Sequence, residues 1–407
     1  MAVTMVSSCV MSGASVRAHS DAGLPIDEST SALMASLRGW SALVVVLSHA
    51  FQVFVLPYLG LYGWPHLLTS WLACYAVLTF LVVSGFMIAL SVHRHRIHGG
   101  FAQWSFFRAR FLRIYPPLVA SVALCAVILL AFRCTGLHGS ESFRLGGEQF
   151  LSRERVEMDL PETVSTLLLA YGIVPRAPGP IQINGPLWTL TYEWWFYMLV
   201  MFASAAVIGR RVLLGAVPTL GVLLLFACSP AGTLLWAFLA VWGAGFALAC
   251  AYMEGWLDRA RAPLVLGGIV LCAVAGVVAI GREDTLRIVA EPLQRLGNPA
   301  HWTMCLVSVA GACVLGMAIR MRLRGLACGR LADYSYTLYL VHYPLLLLTF
   351  GLLHPWLHVR GPLPSAACAL LVSLLVLPIA RAIASVVEDR ARFSRALSAV
   401  EATLLGR

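Results

Sequence analysis

A histidine and a carboxylate set in apolar runs, above a cluster of arginines, are the residues of this sequence best placed to do chemistry. The stretch LMASLRGWSALVVVLSHAFQVFVL puts Arg38 and His49 in a single apolar run. Ionisable side chains inside a membrane helix are costly, so their presence points to function. Eleven residues of α-helix return a side chain to within about 20° of its starting direction and lift it about 16 Å, so the two share one face. Taken singly, Arg38 reads equally as an interfacial cation with its stem in the apolar layer, and His49 as a side chain bonded to a neighbouring helix. Together on one face they favour a site.

The segment INGPLWTLTYEWWFYMLV holds Glu193, about eight residues or roughly 12 Å below the outer surface. Its helix runs inward while the first runs outward, which predicts that Glu193 lies at nearly the depth of His49. A histidine meeting a carboxylate in a low-dielectric cavity is the arrangement of a general base and its orienting partner. The plain alternative is a structural carboxylate bonded to a hydroxyl of another helix. The stretch FFRARFLRIYPPL offers Arg108, Arg110 and Arg113, whose guanidinium forks suit phosphate oxygens and so a phosphorylated donor. Ordinary positive charge at a cytoplasmic helix end is the alternative. In YSYTLYLVHYPLLLLTF, His342 stands above Tyr334, Tyr336 and Tyr339 and could form a second polar wall, although an aromatic interfacial belt accounts for the tyrosines as well. His93, His95 and His98 have no cysteine or carboxylate to join them, and no metal site is expected there.

The elements that must position these residues are membrane helices. The chain has 407 residues, 60% hydrophobic and 12% charged, with a mean hydropathy of +0.82; so much apolar area cannot be kept from water by a soluble fold. Runs of about twenty apolar residues, the length that crosses a bilayer, fall near 33–56, 67–92, 114–132, 186–208, 212–228, 231–253, 263–280, 301–319, 334–353 and 364–387. An all-α, polytopic bundle of about ten spans follows, forming one domain over 33–388. Residues 1–32 are expected to be a disordered cytoplasmic tail, with Met34 an alternative start, and 389–407 a second cytoplasmic tail. The net charge of +10 comes from arginine without any lysine. Those arginines concentrate in alternate loops, while Arg282, Arg287, Arg295 and Arg360 are sparser on the other side, which places both termini in the cytoplasm. That topology explains the charge without nucleic acid. The eleven cysteines form no CxxC pair and read as small apolar residues.

One connection is long. Residues 133–185, on the outer side, mix Glu141, Glu148, Glu154, Glu157, Asp159 and Glu162 with arginines. Within it PETVSTLLLAYGIV opens with Pro161 at a plausible helix start and turns apolar, which suits a surface or lid segment. A tolerated insertion is the alternative.

In order along the chain, these motifs resemble the acyltransferase-3 family of integral membrane O-acyltransferases. LRGWSALVVVLSH resembles the family's opening Arg and His, here Arg38 and His49. FLVVSGFMI resembles its SGF segment (Ser84, Gly85, Phe86), RFLR its paired arginines (Arg110, Arg113), GPLWTLTYEWWFY its Trp-x-Leu-x-x-Glu segment (Trp188, Glu193, with Tyr192 beside them), and YSYTLYLVHYPL its late His segment (His342). The resemblance implies transfer of an acyl group, usually acetyl from acetyl-CoA, to a hydroxyl of a glycan, lipid-linked sugar or small metabolite, in a bacterial plasma (inner) membrane. Acyl-CoA would be a cosubstrate, and no permanently bound cofactor is expected. His49 would be the base, directly or through an acyl-histidine, with Glu193 and Arg38 in the catalytic set, the three arginines holding the donor, and Ser84, Trp188, Tyr192 and His342 lining the cavity. Ala35 stands where members often carry an acidic residue, three positions before the first arginine. The hydrolase-like domain some members append is not expected. A transporter or flippase for a polar lipid or sugar, relaying protons through the buried His and Glu, is the rival from another class.

Overall fold

The computed structural model describes residues 26–59, 63–137, 143–145, 148–150, 156–280, 299–325, 328–389, 391–395 and 398. The ten apolar runs all fall on helices: α1 (Glu28–Phe54), α2 (Trp64–Ile97), α3 (Gln103–Thr135), α4 (Trp188–Val207), α5 (Val212–Ala227), α6 (Thr233–Met253), α7 (Ala262–Ile280), α8 (Pro299–Arg320), α9 (Ser335–Arg360) and α10 (Pro362–Val387). Seven of them, α1, α2, α3, α6, α8, α9 and α10, contain a segment long and apolar enough to cross a membrane, while α5 and α7 are apolar but shorter. Leu213, Leu220 and Leu224 on α5, Leu264 and Leu271 on α7, and Leu370 and Leu374 on α10 are exposed. Apolar side chains facing outward all along a helix are what a lipid-bathed surface requires.

The first helix starts at Glu28, inside the stretch expected to be tail, because Asp27 caps it. The Asp27 carboxylate accepts from the Thr30 N–H (2.7 Å) and the Ser29 hydroxyl (2.6 Å), satisfying amides that a helix start leaves open. Tyr252 at the end of α6 accepts from the Asp27 N–H and donates to its carboxylate. Residues 1–25, Glu141, Glu154 and Arg282, Arg287 and Arg295 lie outside the described residues.

The 133–185 connection is organised. A two-stranded antiparallel hairpin pairs β1 (Phe143–Leu145) with β2 (Glu148–Phe150), a small departure from an all-helical chain. A short helix, Leu160–Leu167, carries Pro161 in its first turn. The chain then turns into the bundle: Ile181, Ile183, Asn184 and Leu187 are fully buried, the last three within a 3-10 segment, Gln182–Leu187. Asn184 holds it there, donating to the Leu340 carbonyl (2.8 Å) and the Ser121 hydroxyl (3.1 Å).

Hydrogen bonds between helix ends sort into two groups. The start of α1 meets the end of α6 through Asp27 and Tyr252, the start of α3 meets the residues after α10 through Arg108 and Ser394, and the end of α8 meets the α6–α7 connection through Arg320 and the Leu257 carbonyl. At the other ends, Tyr58 after α1 donates to the Leu357 carbonyl of α9 (2.5 Å), and Thr233 of α6 is bonded to His301 of α8.

Candidate active site

α1 and α9 run side by side in the same direction. Arg38 donates to the Ala332 carbonyl just before α9 (2.6 Å). Eleven residues further along α1, His49 Nδ1 lies 2.8 Å from His342 Nε2, ten residues after Ala332. Near-equal spacing on both chains keeps two parallel helices in step, and Arg38 and His49 do share the face turned to α9. The two imidazole planes are within 8° of parallel, and Tyr343 closes the side edge-on at 5.3 Å.

The network fixes the protons. His342 Nδ1 faces the carbonyls of Tyr339 (2.8 Å) and Leu338 (3.1 Å), which can only accept, so this nitrogen carries the hydrogen. A neutral His342 then presents the lone pair of Nε2, and His49 Nδ1 must donate to it. The basic atom of His49 is therefore Nε2, assigned here from the hydrogen-bond network. His342 occupies the position toward His49 that a carboxylate holds in a hydrolase triad.

Glu193 does not occupy it. Its Oε1 accepts from Ser84 (2.7 Å) and from the Tyr197 hydroxyl, while the Trp242 indole N–H donates to Ser84 (3.3 Å). The expected meeting of His49 and Glu193 fails because α4 begins inside the bundle and not at its end. Its lead-in segment is buried: the Pro186 carbonyl accepts from the Tyr339 hydroxyl (2.6 Å), and Thr189 is bonded to the same hydroxyl (2.9 Å). The helix thus starts level with Tyr339, already one turn of α9 below His342. Four more residues carry Glu193 roughly 6 Å deeper.

Glu193 instead lines a cavity of about 680 Å³, mouth included, together with Arg38, Ser84, Arg113, Thr189, Ser335, Tyr336 and Tyr339, and an apolar wall from α2. Arg113 lies over the Tyr336 ring at 5.9 Å. Two guanidinium groups and one carboxylate leave the wall with one net positive charge when all are ionised, which suits an anionic or strongly polarised ligand. Beside Ser84, Gly85 lets α2 press against α6. A Cβ on Gly85 would meet the Trp242 carbonyl oxygen at 2.0 Å, and one on Gly245 would meet that of Val82 at 1.9 Å. Small residues at a helix crossing admit such an approach.

Four expected site residues point elsewhere. Trp188 and Tyr192, one turn apart on α4, both pack on Phe238 of α6, on the face beside the one that carries Thr189 and Glu193 to the cavity. Arg108 turns to the carboxyl-terminal segment, donating to the Ser394 carbonyl (2.7 Å) and the Ser398 hydroxyl (2.6 Å). Arg110 donates to Ser91 (2.8 Å) and lies against the Phe106 and Tyr197 rings. Of the three arginines only Arg113 lines the cavity. Tyr197, Thr189, Ser335 and Trp242 were not expected in the site. Tyr197 was within reach of pattern reasoning, since it stands four residues after Glu193 and so on the same helix face.

No curated protein and no solved structure matches the chain. Residues 34–381 match the family model described as an acyltransferase domain, a stretch that takes in nearly all of α1 to α10 and both polar clusters, and the chain belongs to this acyltransferase-3 family.

Proposed function

We propose that the protein is a membrane O-acyltransferase that moves an acyl group, acetyl in the first instance, from acyl-CoA to a hydroxyl of a glycan, lipid-linked sugar or related metabolite. The observation that carries this reading is the His49–His342 pair with its proton order set by the Tyr339 carbonyl. The acceptor hydroxyl gives its proton to His49 Nε2 as its oxygen bonds to the thioester carbonyl carbon. The carbon–sulfur bond then breaks, and the departing thiolate takes the proton from His49, leaving an ester and free CoA. While His49 is an imidazolium, His342 Nε2 accepts its Nδ1–H. A neutral imidazole stabilises that cation less than a carboxylate does, so His342 acts mainly by orientation. The donor enters the cavity below, where Arg113 and Arg38 supply the positive charge and Glu193 with Ser84 and Tyr197 fixes one wall.

In this reading the chain makes ten crossings of a bacterial plasma membrane with both termini cytoplasmic. The sorting of helix ends into two groups supports that alternation, and the arginines at the ends that include Arg108 and Arg320 mark the cytoplasmic side. In a cysteine-free variant, Gly179→Cys in the long connection should react with an impermeant thiol reagent from outside, and Arg324→Cys should not. Reversed labelling overturns the orientation and the donor route with it.

The deciding experiment for the activity uses purified protein in detergent with radiolabelled acetyl-CoA. Acylated protein or slow release of free CoA is expected. Protein that binds a polar lipid or sugar yet leaves acetyl-CoA intact would favour a transporter.

A further inference from the structure

The cavity stops short of the histidines. His49 and His342 do not line it, whereas Phe80 of α2 and Tyr339 of α9 do. These two rings are in contact, with centroids 6.0 Å apart and planes at 61°, and Tyr339 in turn lies 5.9 Å from the His342 ring. Tyr339 therefore stands between the cavity and the His342 ring, and Phe80, one turn of α2 before Ser84, packs against it at that end of the cavity. The two rings are held differently. Tyr339 is buried, with its hydroxyl fixed by the Pro186 carbonyl and Thr189. Phe80 is half-buried and, as a hydrocarbon ring, has no polar atom to hold it; Val77, Leu81 and Leu190 line the same cavity.

We propose that Phe80 is the gate through which the acyl end of the donor reaches His49, and that it restricts the enzyme to short, unbranched acyl groups. A thioester coming from the arginine side reaches His49 only if one ring swings aside, and Phe80 is the ring that can do so without breaking hydrogen bonds. A slot opened by the turn of one side chain, against the fixed Tyr339, passes an acetyl group and excludes a longer chain. The closed ring also keeps water from the thioester until the acyl group is in place.

This inference rests on the acyl-CoA reading above, and the experiment separates the two. Free CoA is followed with a series from acetyl-CoA to octanoyl-CoA, water serving as acceptor so that each turnover gives a carboxylic acid and CoA thiol. The parent chain is expected to favour acetyl-CoA. Phe80→Ala should raise kcat/KM for longer donors relative to acetyl-CoA, by about fourfold for each methylene that gains an apolar contact, and should speed hydrolysis of acetyl-CoA itself. Phe80→Leu, milder for folding, should shift the profile the same way by less. Phe80→Trp should bind acetyl-CoA and turn it over slowly. Leu72→Ala, at an exposed position of the same helix, should leave the profile unchanged. A folded Phe80→Ala or Phe80→Leu protein with the parental chain-length profile overturns the gate while leaving the acyl-CoA reading intact. A parent chain that uses none of the donors overturns that reading, and the gate falls with it.

Discussion

Two polar clusters lie along the inner face of α9, about two turns apart, and they are built from different materials. The upper is a pair of imidazoles whose protons are ordered by backbone carbonyls at Leu338 and Tyr339. The lower is a carboxylate wrapped in hydroxyls, Glu193 with Ser84 and Tyr197, on the wall of a cavity that also holds Arg113 and Arg38. On the reading proposed above, the difference is a division of labour. A base needs one lone pair aimed and kept in one tautomer, which a rigid chain of two rings and a carbonyl supplies. A binding wall needs net charge and room, which the lower cluster has. Taking His49 and Glu193 as one catalytic pair merges two sites that the fold keeps apart.

The largest expected effect falls on the upper cluster. His49→Ala should lower transfer by roughly 10²- to 10⁴-fold, the usual loss of general-base catalysis, with acyl-CoA binding retained. His49→Gln keeps a hydrogen bond but has no basic nitrogen, so it should be nearly as inactive. An active, well-folded His49→Gln protein breaks the division of labour at its root.

The next effect tests whether His342 orients or merely fills space. His342→Leu removes the acceptor for His49 Nδ1–H and should lower kcat by roughly 10- to 100-fold, the scale of one lost buried hydrogen bond, with the KM for acyl-CoA unchanged. His342→Gln offers an amide oxygen to the same N–H and should recover most of the rate. A purely structural role predicts instead that kcat follows the detergent melting temperature across both variants.

The lower cluster should respond in KM. Arg113→Ala removes a charge from the cavity wall and should raise the KM for acyl-CoA by about tenfold or more, the cost of one charge-assisted contact being roughly 1.5–3 kcal/mol. Arg108→Ala should leave that KM alone, because its guanidinium is turned to Ser394 and Ser398. Equal effects at the two positions would dissolve the distinction between cavity arginine and peripheral arginine.

The positions of helices were legible in the sequence because ten long apolar runs have few other ways to satisfy backbone and side chains. The shared face of Arg38 and His49 was legible too, since it depends only on helical period. What pairs with His49 was not. That depends on the register of α1 against α9, residues almost 300 positions apart, and on the in-step spacing of Arg38–Ala332 and His49–His342. The depth of Glu193 was hidden for another reason: Gln182–Leu187 reads as an ordinary outer-loop segment, and only its burial beside Leu340 lowers the start of α4. The arginines misled because α3 begins at Gln103, well before its apolar run, so that Arg108, Arg110 and Arg113 sit around a helix and face three different neighbours.

The smallest expected effect tests how far the clusters are independent of the scaffold beneath them. Asp27 caps α1, the helix that carries Arg38 to the lower cluster and His49 to the upper. Burial alone would raise the Asp27 carboxyl, but the bonds from Ser29, the Thr30 N–H and Tyr252 outweigh it and hold the group at about 2, below its ordinary 3.8. A carboxyl lowered on folding stabilises the protein above its unfolded value, and that contribution is lost as pH falls from about 4 through about 2. Asp27→Ala should cost about 1 kcal/mol, as lost helix caps do, while Asp27→Asn keeps a capping oxygen and should cost less. The melting temperature of the parent should approach that of Asp27→Asn as the pH is lowered through that window. Because Arg38 lies eleven residues above the cap and His49 more than twenty, fraying of the first turn should reach the lower cluster first. Asp27→Ala should therefore raise the KM for acyl-CoA slightly and leave kcat unchanged. A fall in kcat with KM constant would mean that the upper pair leans on the foot of α1 more than the donor cavity does, and the two clusters would have to be treated as one mechanical unit.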